Sequence, residues 1–229
     1  MATAAIERRY EYIAITDHSK GLKIAGGIDE VALRAQGREI AAANKAILRH
    51  GEELTLLRSI EMNLNPRGKG DMNPRSLSSL GLVLGSFHSR LRVAGDQTER
   101  YLAALHNPRI QILGHPRGRI YNYRLGLSAD WSRAFAEAAE LDKAVEIDCY
   151  PDRQDLNVRL LRLARAEGAW VSLGTDAHHP WQLGFIDLGL AAALRTKISA
   201  ERIVNFMSLQ ELKNWTASVK ERSGKRWVS

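Results

Sequence analysis

The sequence predicts an α/β fold built on a parallel sheet, and two observations predict it. Short apolar runs of strand length alternate with helical segments, the pattern of successive strand–helix–strand units. Five of those runs also end on, or just before, a carboxylate or an imidazole. In a closed parallel barrel such strand ends converge on one face, where active sites lie.

The elements follow in order. Residues 3–9 (TAAIERR) read as the tail of a helix, so the alternation opens on a helix rather than a strand. Residues 10–16 (YEYIAIT) are β-branched and aromatic, make the first strand, and run into Asp17 and His18. After a glycine-containing loop, Ile28 and Asp29 supply a staple and a cap for a helix over 29–50. Residues 54–60 (LTLLRSI) are the second strand, ending on Glu61, and 63–79 form a loop with a short helix behind it. The third strand, within 82–87 (LVLGSF), ends on His88, and a helix follows at 98–106. Residues 109–113 (RIQIL) lead to His115, with Arg117 and Arg119 close behind. A helix near 130–141 precedes the strand 144–149 (AVEIDC), which carries Glu146 and Asp148. A turn at 151–154, a helix at 156–167 and a strand at 170–173 lead to Asp176 and His178. Everything from Ile186 on reads as helical, and 223–229 is a basic tail expected to fray.

The 229 residues suffice for one large domain with a real core, and no repeat or linker divides them, so a single domain over 1–229 is expected. A hydrophobic fraction of 45% beside 26% charged residues excludes a disordered chain. No apolar stretch approaches membrane-spanning length, and the N-terminus lacks a signal-peptide core. The lone cysteine, Cys149, excludes an internal disulfide and sits in an apolar run, as an inert buried thiol would. A cytoplasmic location is the expectation. The net charge of +7 favours a phosphorylated or polyanionic partner.

His18, Glu61, His88, His115, Asp176 and His178 form the candidate metal set, because carboxylate oxygen and neutral imidazole nitrogen both suit a divalent cation. Glu61 could bridge two ions about 3.5–4 Å apart, which would clamp the attacking and leaving oxygens of a phosphate ester around an activated water. Each residue also has a plainer reading. Asp176 could cap a helix, Glu61 could pair with Arg58 or Arg67, and each histidine could be a satisfied semi-buried side chain. Arg119 and Arg117 are candidate phosphate-binding residues, since guanidinium matches phosphate oxygens. His50 and His106 fall in helices and take no role, and His179 reads as solvated.

Six motifs stand in one order: ITDHS at 15–19, SIEMNL at 59–64, GSFHS at 85–89, LGHPRGR at 113–119, VEIDCYPDR at 145–153 and LGTDAH at 173–178. In this the chain resembles the polymerase and histidinol phosphatase (PHP) superfamily, above all the C-terminal PHP region of bacterial X-family DNA polymerases and stand-alone relatives. The resemblance implies a distorted TIM-like (β/α)7 barrel, up to three metals (zinc, manganese or iron), and hydrolysis of phosphate mono- or diesters. It implies Glu61 as bridging ligand, with His88 and His115 at one metal, His18 and His178 at another, and Asp176 joining Glu61 at a third. Turnover would depend on Glu61 and Asp176. The substrate would be a phosphorylated small molecule or a nucleic-acid 3′ end.

One feature departs from the family. No His-x-His strand precedes His18, so the barrel is expected to lack its first strand and to hold fewer metals. The Glu61–His88–His115 site would be the best preserved. The missing strand also implies an open edge beside the first strand, through which a homo-oligomer could form. A metal-dependent phosphoesterase is therefore the expected function. The alternative is an impaired module that binds metal or nucleic acid without turnover.

Overall fold

Among the described residues six parallel strands pair in sequence order: β1 (Tyr12–His18), β2 (Thr55–Asn63), β3 (Leu82–Ser86), β4 (Ile112–Leu113), β5 (Ala144–Asp148) and β6 (Trp170–Gly174). A computed structural model describes residues 1–227, with side chains through residue 223. The helices are α1 (Ala2–Glu7), α2 (Glu30–Arg49), α3 (Pro74–Leu77), α4 (Thr98–Leu105), α5 (Trp131–Glu140), α6 (Val158–Ala166), α7 (Ile186–Thr196) and α8 (Leu209–Trp227). The basic tail continues α8 as far as Trp227, and its last two residues lie outside the described residues.

Caps set several helix starts as the sequence implies. Asp29 accepts from the backbone of Val31 and Ala32, Asp130 from Arg133, and Asn157 from Leu160. The strands depart from expectation at their ends. β1 and β2 run on to include His18 and Glu61, which pair across the ladder, and Ser19 N–H donates to the Glu61 carbonyl at 3.0 Å. β4 is only two residues long, and ahead of it Asn107 Oδ1 accepts from Arg109 N–H in a turn. The C-terminal region is not one helix: α7 stops where Lys197 takes a left-handed conformation (φ 57°), and two short 3₁₀ turns intervene before α8.

Side chains alternate across the sheet, and the two faces differ in chemistry. Ile60, Val83, Leu113, Val145, Ile147 and Val171 face outward into the main core beneath the helices. Leu57, Leu82, Ile112 and Ala144 face inward at the N-terminal end, where Leu212, Trp215 and Val219 of α8 plug the bore. Above that plug the interior turns polar and small, with Ser59, Ser86, Gly114, Glu146, Ser172 and Gly174. A Cβ on Gly174 would meet the Glu146 carboxyl, so glycine is what admits that acid into the bore.

The sheet curls as a barrel would, and among the described residues its edge strands β1 and β6 are not paired to each other, as the expected lack of one strand implies. Ala14 and Thr16, on the inward face of β1, are exposed. The open flank is partly covered by residues 203–207. Asn205 exchanges two hydrogen bonds with the Leu173 backbone (2.7 and 3.0 Å), imitating a strand partner, and the Tyr12 hydroxyl donates to the Met207 carbonyl at 2.8 Å.

One buried cation lies away from the strand ends. Lys143, fully buried just before β5, donates from Nζ to the Asn107 carbonyl at 2.6 Å, and burial pushes its ammonium down to about 7. Its folded pKa is below its unfolded one, so the charging penalty is present in full below pH 7 and is relieved as pH rises toward the unfolded value. Wild-type stability minus that of Lys143→Met should therefore grow by on the order of 2 kcal/mol between about pH 7 and pH 9 in urea unfolding. A difference independent of pH would mean that the ammonium stays charged where it lies.

Candidate metal centre

Glu61 is the hub of the strand-end face. It points inward from β2, one strand from His18, and three imidazoles close on its buried carboxyl. His18 Nδ1 lies 3.0 Å from Oε2, and His88 Nε2 and His115 Nε2 lie 3.3 and 2.7 Å from Oε1. The ring centroids of His18 and His88 are 5.5 Å apart, and those of His88 and His115 are 5.0 Å apart. Burial pushes the Glu61 carboxyl up, but the charge and contacts of the histidines outweigh it and hold it well below the usual carboxylate range. Burial also pulls His115 down, and the Glu61 carboxylate overrides that and raises it to about 9. The Glu61 contact raises His18 against its burial, whereas burial dominates at His88 and lowers it.

The donor set fits a divalent cation. One ligand atom each from His18, Glu61 and His88 lies within 4.8 Å of the others. His18 Nδ1, 3.0 Å from Oε2, and Glu61 Oε1, 2.7 Å from His115 Nε2, are both buried, yet each lacks an aligned hydrogen bond. Lone pairs that converge without aligned protons are the arrangement a cation satisfies. The Asn63 side-chain oxygen lies 3.3 Å from His88 Nδ1; with the proton on Nδ1, Nε2 presents its lone pair to the cluster. His115 is held at a positive φ of 23°, and its backbone N–H donates to Glu146 Oε2 at 2.6 Å.

The other candidates stand on the rim. Asp176, at φ 47°, places Oδ2 3.7 Å from Arg153 Nε. The His178 side chain is 66% exposed, with Nδ1 2.8 Å from the Asp176 carbonyl and its ring centroid 6.3 Å from that of His18. The structure thus gathers His18, Glu61, His88 and His115, and leaves Asp176 and His178 outside that group. His106 pairs with Glu137 at 3.1 Å, away from the cluster.

The arginines divide by what holds them. Arg117 donates from Nη2 to the Leu125 carbonyl at 2.6 Å and from Nε to that of Leu127, bracing its own loop. Arg119 donates from Nη1 to the Arg153 carbonyl at 2.8 Å and lines a cavity of about 570 Å³ beside Asp148, Asn157 and Arg159. Sequence reasoning missed Arg153, whose Nε lies between Asp148 (3.4 Å) and Asp176. The signal was present in VEIDCYPDR, where a proline turn carries the arginine back to Asp148 at the end of the strand. Burial raises the Glu146 and Asp148 carboxyls, and Asp148 Oδ2 lacks an aligned hydrogen bond.

No protein-family model matches the chain. A Bacillus subtilis protein named DNA polymerase/3′-5′ exonuclease PolX is 32% identical over 213 residues, 93% of this chain but 37% of that protein. The chain therefore spans little more than a third of that relative. A protein named probable phosphatase from Caldanaerobacter subterraneus is 22% identical over 228 residues, covering 97% of this chain and 85% of the relative. The solved structure of a histidinol phosphate phosphatase from Lactococcus lactis, complexed with zinc, L-histidinol and phosphate, shares the fold. Its TM-score is 0.56 at 15% identity, over 86% of each chain. No helix among the described residues is long and apolar enough to cross a membrane. With these relatives, this barrel and the six ordered motifs, the chain belongs to the polymerase and histidinol phosphatase (PHP) superfamily.

Proposed function

We propose that the chain hydrolyses phosphate esters with a divalent metal held by His18, Glu61, His88 and His115. The observation that carries this is the buried Glu61 carboxylate ringed by three imidazoles without aligned hydrogen bonds. A bound metal would polarise the phosphoryl oxygen and lower the pKa of a water at the site. The chain's own part is to hold Glu61 ionised, to turn His88 through Asn63 and to fix His115 through Glu146. Asp176 and His178 would serve from the rim, as further ligands or as contacts to the ester. Arg119 and Arg153 are the guanidiniums placed to hold the phosphate. Relatives named phosphatase and exonuclease support both a monoester and a diester as substrate. Carboxylate and imidazole donors suit zinc, manganese and iron alike, and zinc is the metal of the Lactococcus lactis structure.

The open flank between β1 and β6 favours a second reading, a module that keeps metal but lacks turnover. One experiment separates the two. Protein purified without chelator or a nickel column is analysed for metals and assayed on a small phosphate ester. The proposal expects at least one metal per chain and hydrolysis that chelation removes and metal restores. Metal without hydrolysis supports the second reading, and absence of metal sinks both. Arg153→Ala should raise KM for the ester by about tenfold or more, the loss of one charge-assisted contact, with a smaller change in kcat. An unchanged KM would confine Arg153 to neutralising Asp148 and Asp176.

A further inference from the structure

Two loops rise from the metal centre, and each has a candidate ligand at its foot: His88 at the start of one and His115 at the start of the other. Their tips lock together. Arg92 donates from Nη1 to the Tyr123 carbonyl at 3.2 Å, and its guanidinium lies 4.5 Å from the centroid of the Tyr123 ring. The second loop is braced from within. Asp155 Oδ2 accepts from the backbone of Arg117 at 2.8 Å, Arg117 reaches the Leu125 carbonyl, and Arg124 donates to the Gly118 carbonyl. Ile120 and Arg124 form an antiparallel bridge, and Tyr121 N–H donates to the Asp152 carbonyl at 2.6 Å.

The outward display of this braced loop is aromatic. Tyr121 and Tyr123 are 62% and 64% exposed, and the Arg119 guanidinium lies 5.7 Å from the centroid of the Tyr121 ring. Burial does not explain two large rings in water on a loop tied down at both ends. A ring held rigidly in solvent loses little entropy when a flat ligand stacks on it. Guanidiniums beside such rings add attraction for phosphate, and the whole chain carries +7. Stacking faces alternating with cations suit a ligand that alternates bases with phosphates, and one whose bases are unpaired.

The geometry points to Tyr121 and Tyr123 as a stacking platform for single-stranded nucleic acid, which leads an end of the strand toward the metal centre. This rests on the phosphoesterase reading and names the substrate class of that same site. Arg92 and Arg119 hold the backbone beside the rings, and the 152–155 turn that anchors Tyr121 also carries Arg153 toward the metal centre.

The test is fluorescence anisotropy of the full chain in EDTA, with a labelled oligothymidylate of about 12 nucleotides and a duplex of equal length. Chelation prevents turnover, so binding is read apart from hydrolysis, which is measured separately with metal on a small ester. The expected result is that the single strand binds more tightly than the duplex. The double variant Tyr121→Ala/Tyr123→Ala should weaken single-strand binding by at least about tenfold, while Tyr121→Phe/Tyr123→Phe stays within about twofold of wild type. Thermal melts confirm that both variants fold. No binding by the wild type, or equal binding by the alanine variant, overturns the platform, and so does a duplex bound as tightly as the single strand. Hydrolysis of the small ester in any of those cases leaves the phosphoesterase reading standing.

Discussion

Glu61→Gln should abolish metal retention and hydrolysis together. The substitution keeps the shape and removes the charge on which three imidazoles converge. An amide presents one weak acceptor and a donor where the cation needs an anion, so the ligand set loses its only buried carboxylate within reach of all three rings. Hydrolysis should fall by about a thousandfold or more, because both metal chemistry and metal binding go. Elemental analysis of Glu61→Gln beside wild type reads the first effect, and the ester assay reads the second. Full metal content in the variant would remove Glu61 from the hub.

The same variant carries a second signature in metal-free protein. His115 is raised to about 9 by Glu61. A histidine with a raised folded pKa contributes stability that is fully present below its unfolded value near 6.5 and is lost as pH climbs through the folded one. Metal-free wild type should therefore lose stability between about pH 6.5 and pH 9, and Glu61→Gln should show little of that loss. Urea unfolding in EDTA across that range measures it.

Phe135→Ala should destabilise the fold by about 3–5 kcal/mol. Phe135 is fully buried in the main core, on the face of α5 that packs toward the sheet, with its ring centroid 5.6 Å from that of Trp131. Truncation removes the apolar transfer energy and leaves a cavity that a well-packed core refills only in part. The midpoint of thermal unfolding should drop by roughly 10 °C, while hydrolysis per folded molecule at low temperature is retained. Leu194→Ala, at a residue 77% exposed on α7, serves as the contrast and should cost no more than about 0.5 kcal/mol. A Phe135→Ala protein as stable as wild type would mean that α5 does not carry the core as described.

The order of elements and the identity of the hub were legible in the residues. Strand-length apolar runs placed every strand, and the carboxylate or imidazole closing five of them marked the chemistry, because parallel strand ends meet on one face whatever lies between them. Strand ends were less legible. β1 and β2 extend to His18 and Glu61 because the ladder itself continues there, a pairing invisible to either strand alone. The helical character of the C-terminal region was legible, but its break was not: the left-handed turn at Lys197 interrupts a helical pattern without a glycine or proline to announce it.

What the sequence alone determined is the fold class and the candidate ligands, since periodicity and residue type are local properties. Tertiary structure decided which of those ligands share a carboxylate. It gathered His18, His88 and His115 on Glu61, left Asp176 and His178 at the rim, and spent Arg117 on its own loop. It also brought forward Arg153 and the Tyr121–Tyr123 pair, which sequence reading passed over. The physical reason is that a side chain's role depends on what competes for its charge and its lone pairs. Those competitors come from strands and loops far apart along the chain, so they become visible only once the barrel has formed.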